Sequence, residues 1–360
     1  QMKKLLLLAA VAMAFGASAQ TLTQDWKHDV SFTANDTRQG VGMNGKIYVL
    51  DKSTQQVYVV SENGVENTIL PGSTNTAINR DGAGNLVIST AAWAANWAAG
   101  SAGFMVYNPA TPDQITNLSF EDSSLSPGKS FNIGIAAGDL TSNGELLVAG
   151  DASGSNLSRF VVVDGEISPD DSYPAIVNNG PAPATTTVIN AFMDGEIQKY
   201  LYVTRNANPA ILVANGDDFD AETLILPNKG STNGAEIFVL GSDKYAVYPT
   251  LPNDLGGFAI AKLGVENTVM VEVEAPFSAN PNGVQMDWLN AEVVDDYTAN
   301  IYQYIPGAYC AKYTFSLPQS PTGISDVTAK KAEVKKVIEN GQIYIINGDA
   351  KYNVMGAQVK

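Results

Sequence analysis

The sequence predicts an all-β fold: a β-propeller of six four-stranded blades, followed by a small C-terminal β tail. Three observations predict it. A turn-plus-strand unit recurs six times along the chain. Charged residues make up only 16% of the 360 residues, against a usual ~25%, while Gly, Asn, Thr and Ser are abundant, as in chains of short strands and turns. The segment "ILPGSTNTAI" (69–78) is echoed by "ILPNKGSTNGAEI" (225–237).

The second strand of each unit carries the clearest signal. "NGKIYVLD" (44–51), "AGNLVIST" (83–90), "NGELLVAG" (143–150), "QKYLYVTR" (198–205), "SDKYAVYP" (242–249) and "TANIYQYI" (298–305) each join a polar turn to a run of Val, Ile, Leu and Tyr. Anchored on Ile47, Leu86, Leu146, Leu201, Tyr245 and Ile301, the spacings are 39, 60, 55, 44 and 56 residues. A first strand beginning with small residues precedes each anchor: "QGVGM", "NTAINRD", "NIGIAAGD", "TTVINAFMDG", "GAEIFVLG" and "NGVQMDWL". A third follows: "QVYVVSE", "GFMVYNP", "RFVVVDG", "AILVANG", "GFAIAKLG" and "AYCAKYTF". A weaker fourth closes several units, as "ENTILP", "QITNLSF", "ETLILP" and "TVMVEVE". The echo is then the junction between one unit's fourth strand and the next unit's first.

One such sheet alone exposes both faces. Stacking the sheets radially buries them against each other and leaves short, protected edges, which is the physics of a propeller. The last unit lacks a fourth strand, and "DWKHDVSF" (25–32) is the segment expected to supply it. A β-sandwich, or a pair of them, is the rival architecture.

The chain divides into residues 1–19, 20–317, 318–329 and 330–360. Lys3 and Lys4, the apolar run "LLLLAAVAMAF" (5–15) and the small residues Ala17 and Ala19 form a signal peptide, with cleavage expected before Gln20. No Cys follows the apolar run, so a lipoprotein anchor is not expected. Nothing beyond residue 20 approaches the ~20 apolar residues of a membrane helix. Cys310 is the only cysteine. It sits in an alternating strand pattern and reads as a buried thiol, so the core has to hold the fold without disulfides.

Residues 20–317 form the propeller. Without Lys3 and Lys4 the formal charge of −16 becomes −18. Residues 322–360 carry six Lys against four acids, which leaves −20 on residues 20–321. Such a body repels phosphate backbones, so nucleic acid is not an expected partner.

Residues 318–329, rich in Pro, Ser and Thr, read as a linker. The remaining residues, 330–360, hold "NGQIYII" followed by a turn and "YNVMGAQVK". This ending resembles the C-terminal sorting domains of exported Bacteroidetes proteins read by the type IX secretion machinery. The body resembles the uncharacterised six- to eight-bladed propellers of the same bacteria. The resemblance implies a secreted or surface-exposed protein in the extracellular, cell-surface or periplasmic space, with the secretion machinery as a partner of the tail.

Several chemistries are hard to build from these residues. His28 is the only histidine and lies in a polar alternating strand, where an exposed structural role is expected. A His-rich metal site is excluded, and a Ser–His–Asp arrangement would depend on His28 without any "GxSxG" elbow. "GKS" (128–130) lacks the upstream glycine of a phosphate loop. "NGDDFDAE" (215–222) gathers Asp217, Asp218, Asp220 and Glu222, a pattern that Ca²⁺ accepts, but its place after a third strand reads as a solvated turn. "DGAGN" (81–85) and "DLTSNGE" (139–145) read as turns between first and second strands. No cofactor is expected otherwise.

The suggestive residues share one face. Loops from second to third strands, and from fourth to first, emerge around one mouth of a propeller channel. They hold Trp93, Asn96 and Trp97 in "AAWAANWAAGSA" (91–102), the rim cation Arg205, and Asn75, Asn132, Asn233 and Asn282 just before their first strands. Amides offer uncharged donors and acceptors, and indoles a flat apolar platform. These residues form the expected binding rim for a glycan or peptide on a monomeric protein. A carboxylate-dependent hydrolase or lyase and a non-catalytic interaction scaffold are the alternatives.

Overall fold

The computed structural model describes residues 20–74, 77–90, 101–121, 133–135, 138–149, 156–169, 173–180, 188–204, 207–230, 234–250, 255–278, 286–318, 334–339, 342–347, 350–353 and 358–359. The chain forms two compact units, Gln1–Leu317 and Pro318–Lys360.

Strand β1 (Thr21–Asp29) comes first in the chain but joins the last sheet of the large unit. The first meander is β2 (Gln39–Met43), β3 (Lys46–Asp51), β4 (Gln56–Ser61) and β5 (Gly64–Pro71), hydrogen-bonded in that order. The second is β6 (Ile78–Arg80), β7 (Leu86–Ser89), β8 (Ser101–Tyr107) and β9 (Thr116–Glu121). A nine-stranded sheet follows. Its first part holds β10 (Ile133–Ile135), β11 (Gly144–Ala149), β12 (Asn156–Val163), the short β13 (Glu166–Ile167) beside β12, and β14 (Tyr173–Asn178). Its second part holds β15 (Val188–Asp194), β16 (Ile197–Val203), β17 (Ala210–Asn215) and β18 (Asp218–Thr223). Another meander is β19 (Glu236–Leu240), β20 (Asp243–Pro249), β21 (Phe258–Lys262) and β22 (Thr268–Val273). The last sheet is β23 (Trp288–Asp295), β24 (Thr298–Ile305) and β25 (Tyr309–Ser316), with β1 outside β25.

The arrangement is all-β and propeller-like; no helix occurs among the described residues, hence none that could cross a membrane. The first strands lie side by side in the cyclic order β2, β6, β10, β15, β19, β23 and back to β2. Six separate four-stranded sheets are not found. The large unit has four of them, and residues 133–223 form one continuous sheet instead, because β14 pairs in parallel with β18 through Val177–Phe219 and Asn178–Asp220.

Three other expectations are corrected. The first strand of the last sheet begins at Trp288, at the end of the expected "NGVQMDWL" (282–289), and runs on to Asp295. The fourth strand before "ILPNKG" is Asp218–Thr223, so the acidic segment expected as a turn is largely a strand. The closing strand runs over Thr21–Asp29, somewhat before 25–32, and pairs antiparallel with β25 from Thr21–Ser316 to Asp29–Tyr309.

The apolar clusters lie between neighbouring sheets. One joins Val41, Tyr48 and Leu50 of the first sheet to Ile78, Leu86 and Tyr107 of the second. Second strands such as β3 and β20 are buried on both faces, which explains their nearly continuous apolar runs. Cys310 is fully buried. His28 lies on β1, with Nε2 2.8 Å from the Glu62 carbonyl oxygen. The glycines of β2 are required by contact. A Cβ on Gly42 would lie 2.1–2.5 Å from Tyr302, and one on Gly40 would lie 2.7 Å from Tyr304. The two tyrosines of β24 thus lie against the backbone of the neighbouring first strand.

The small unit holds β26 (Val334–Glu339), β27 (Gln342–Asn347), β28 (Ala350–Asn353) and β29 (Gln358–Val359) in one antiparallel sheet. Its first strand, "VKKVIE", was not anticipated.

One carboxylate ties the last two sheets. Asp287 is fully buried and accepts hydrogen bonds from Gly256 N at 3.0 Å and Gln303 Nε2 at 2.9 Å. Burial pushes its carboxyl up to about 7, against the downward pull of these donors. In the unfolded chain the group titrates near its ordinary value, about 4. The folded value is the higher one, so its contribution to stability is complete below about pH 4 and is lost as the pH rises through about 7.

Two outcomes are expected. Gly42→Val is expected to lower the unfolding free energy by about 3 kcal/mol or more, since the Tyr302 ring has to move; equilibrium urea melts measure this. Asp287→Asn is expected to lose less stability than the wild type between pH 4 and 8, by about 4 kcal/mol. Superimposable pH profiles for the two proteins would contradict that assignment.

Candidate functional site

In an antiparallel meander whose first strand is innermost, the first-to-second hairpins all emerge at one end. Asn44 and Gly45 make one such hairpin, both with positive φ (52° and 76°), as a two-residue turn between twisted strands requires. Asp81 to Asn85 make another. The Asp81 carboxylate accepts from Ala83 N, Asn85 N and Asn85 Nδ2 at 2.8–3.0 Å, and from Leu140 N across the sheet boundary at 3.0 Å. Burial raises the Asp81 carboxyl above its ordinary range.

First strands differ in length. β6 and β10 have three residues each, whereas β15 has seven and β23 has eight. The long strands extend beyond the end of β6. A pocket of about 350 Å³ opens at this hairpin end, lined by the end of β6 (Asn79 and Arg80), by the β15 segment Asn190–Met193, and by Ala291 to Val293 of β23. Asn44, Gln198 and Glu236 complete much of its wall.

The inner edges of the first strands set the chemistry of the pocket. Their backbone groups have no strand alongside, and buried backbone groups need partners. Side chains of neighbouring first strands supply them. Gln39 Oε1 accepts from Ile78 N at 3.0 Å, and Asn290 Oδ1 accepts from Gly42 N at 3.0 Å. Asn190 Nδ2 donates to Ala235 O at 2.7 Å and Asn79 Nδ2 to Asn190 Oδ1 at 3.3 Å. Glu236 Oε2 accepts from Ala291 N at 3.0 Å and Asn290 Nδ2 at 3.2 Å.

Arg80 is the hub of this net. Its guanidinium donates to the carbonyls of Gly42 and Ala291 and pairs with Glu236 Oε1 at 2.8 Å. Both side chains are largely shielded, with 17% and 12% exposure. Next to them, Glu292 accepts from Asn44 N at 2.8 Å, Tyr302 Oη at 2.5 Å and Asn300 Nδ2 at 3.2 Å. Burial pushes the Glu292 carboxyl up, but the donors and the Arg80 charge outweigh it and hold it below the usual range.

The rim was expected at the other end of the meanders, in second-to-third and fourth-to-first loops. Trp93, Asn96, Trp97, Asn132, Arg205, Asn233 and Asn282, together with Asn75, lie outside the described residues. The pocket residues themselves were not singled out from sequence. A signal for some of them was present: the first strands contain "INR", "INA" and "LNA", which place Asn79, Asn190 and Asn290 at equivalent points. The acidic segment has a structural use. Asp218 Oδ1 accepts from Ile176 N at 2.9 Å, and Asp220 accepts from Asn178 Nδ2 at 3.2 Å and Asn215 Nδ2 at 2.9 Å. Among the described residues no group of three or more His, Cys, Asp or Glu is arranged to hold a metal ion.

No family model and no curated protein sequence matches the chain. Among solved structures it is similar to a DUF4623 family protein from Bacteroides eggerthii DSM 20697, with a TM-score of 0.59 and 10% identity, covering 84% of this chain and 78% of that one. A subtype N10 neuraminidase-like protein of A/little yellow-shouldered bat/Guatemala/060/2010 matches with a TM-score of 0.48 and 11% identity over 81% of this chain and 98% of that one. The major Malassezia sympodialis allergen Mala s 1 matches with a TM-score of 0.45 and 12% identity over 82% and 96%. The first likeness bears on the fold alone.

Arg80→Ala would leave Glu236 and two carbonyls without their shared donor. It is expected to cost about 3–5 kcal/mol of stability, with Arg80→Lys recovering little because one ammonium does not reproduce the guanidinium fork. Denaturant melts of both variants check this.

Proposed function

We propose that this protein is an exported six-bladed propeller that binds a glycan or peptide at the mouth of its central channel. The observation that carries the reading is the amide-rich pocket beside Arg80, walled by Asn44, Asn79, Asn190 and Gln198 with Phe192 and Met193 alongside. Amides and a few apolar side chains around a concave site suit a ligand rich in neutral hydrogen-bonding groups, such as sugar hydroxyls or peptide amides. The carboxylates in the wall favour binding over proton transfer. Asp81, Glu236 and Glu292 each accept several internal hydrogen bonds, and Glu292 is held ionised. A general acid needs the opposite tuning to that of Glu292, and Asp81, whose carboxyl burial raises, is taken up by donors of its own hairpin and of Leu140.

Counting six blades treats the nine-stranded sheet as two, β10–β14 and β15–β18, joined at their outer edges. Support comes from the shortness of the β14–β18 register and from the separate places of β10 and β15 among the first strands. The rim of Trp93, Asn96, Trp97, Asn132, Arg205, Asn233 and Asn282 remains a proposed second surface at the other mouth. Export rests on the leader pattern of residues 1–19 and on the sorting-like character of the tail. A carboxylate-dependent hydrolase or lyase is the second reading, favoured by three carboxylates lining one pocket.

Parallel glycan and peptide arrays test the proposal. Met193 and Val293 line the pocket and are 41% and 48% exposed, so Trp at either position fills the mouth without entering the core. Met193→Trp and Val293→Trp are expected to reduce array binding at least tenfold, while Trp93→Ala with Trp97→Ala reports on the other rim. Hits insensitive to all four changes would exclude both mouths. Turnover of an array hit that is abolished by Glu236→Gln or Glu292→Gln in a protein that still binds it would favour the enzyme.

A further inference from the structure

The pocket beside Arg80 does not end at β15 and β23. A second cavity of about 630 Å³ shares Ala191, Phe192, Met193, Glu236, Ala291 and Val293 with it and runs on between β15 and β19 toward Gly241 and Lys244. Its lining differs in balance. Met193, Val239 and Val293 make its accessible wall more apolar than that of the first pocket, beside Asp194, Ser242 and Lys244. Ile197, 58% exposed, pairs with Asp194 at the tip of the β15–β16 hairpin, next to this opening.

Two features narrow the ligand class. First, neither cavity is lined by Trp or Tyr, and the phenylalanines that line them, Phe192 and Phe238, are 7% and 4% exposed. A sugar ring packs its C–H face on an open aromatic plane. The accessible apolar lining is instead aliphatic and thioether, which suits branched or straight aliphatic side chains. Second, the lining charges are Arg80 and Lys244 against Asp81, Asp194, Glu236 and Glu292. Both cations are already engaged, Arg80 with Glu236 and Lys244 with Asp194, each at 2.8 Å. Lys199 also reaches Asp194 at 2.7 Å. Even with Lys199 counted, the wall carries one more negative charge than positive, within a body of formal charge −20 from residue 20 to 321.

We infer that the ligand of this site is an extended peptide segment that seats an aliphatic side chain in the larger cavity and a neighbouring cationic group, lysine, arginine or a free amine, in the amide-lined pocket. The inference rests on reading the hairpin-end pocket as the binding site. The two shared walls let one short chain occupy both cavities. Backbone amides of the peptide meet the amide side chains, and the acidic body draws the cation in.

Fluorescence anisotropy with three labelled, acetylated hexapeptides tests this on the full chain: one alternating Leu and Lys, one alternating Leu and Glu, and one alternating Ser and Lys. The Leu/Lys peptide is expected to bind at least tenfold more tightly than either of the others. Its binding is expected to weaken about tenfold between 50 and 500 mM NaCl, because surface-exposed charge attraction is screened, and at least tenfold in Val293→Trp. Equal binding of the Leu/Lys and Ser/Lys peptides, insensitive to Val293→Trp, would mean adsorption to an acidic surface and would overturn the inference. Glycan hits lost in Met193→Trp, with all three peptides inert, would overturn the peptide assignment and leave the pocket reading standing. Inert peptides together with inert glycans would remove both.

Discussion

The inner edge of each first strand has to satisfy its backbone hydrogen-bonding groups without another strand beside it. In a flat sheet the next strand would do this. Around a central axis the neighbours meet edge to edge at an angle, so the ladder cannot continue. Here side chains take over. Gln39, Asn190, Glu236 and Asn290 reach the backbone of the adjoining first strand, and Arg80 spans two carbonyls and a carboxylate. Amides suit this position because each carries both a donor and an acceptor on a short stem. The small residues follow from the same crowding: Gly40 and Gly42 leave room for Tyr304 and Tyr302.

That constraint also shapes the candidate site. A polar channel in a protein invites a catalytic interpretation, but most polar atoms here have partners within the fold. Glu236 neutralises Arg80, and Glu292 holds a hairpin and a tyrosine. The pocket exists because β6 stops at Arg80 while β15 and β23 continue, so the net that closes the channel lies below an open mouth. The apolar wall of the adjoining cavity comes from the same long strands, through Met193 and Val293. Structure-holding and ligand-facing residues are thus neighbours on the same strands.

Much of the architecture was legible. All six anchor residues fall in second strands, β3, β7, β11, β16, β20 and β24, because these strands are buried on both faces and their apolar runs are nearly unbroken. The fourth strands were less legible, since they lie at the outer edge where burial imposes little pattern. The acidic β18 shows this: Asp218 and Asp220 suggest a turn, yet they are on a strand whose carboxylates face the neighbouring β14. The β14–β18 pairing that fuses two meanders was not legible at all, because a two-pair parallel register leaves no trace in composition. Of the candidate site, the repeated Asn of "INR", "INA" and "LNA" was readable, whereas Arg80 and Glu236 were single residues with no recurring counterpart.

The sequence by itself determined the class of the fold and the meander unit, because turn residues and the apolar runs of two-sided burial are local properties. Only the tertiary structure decided which end of the channel carries the described pocket, and that its arginine and carboxylates are tied to backbone and to each other. Those are contacts between strands some 40 to 250 residues apart, set by how far each first strand runs along the axis. Strand length relative to a neighbour is a property of the assembled ring, and no single segment encodes it.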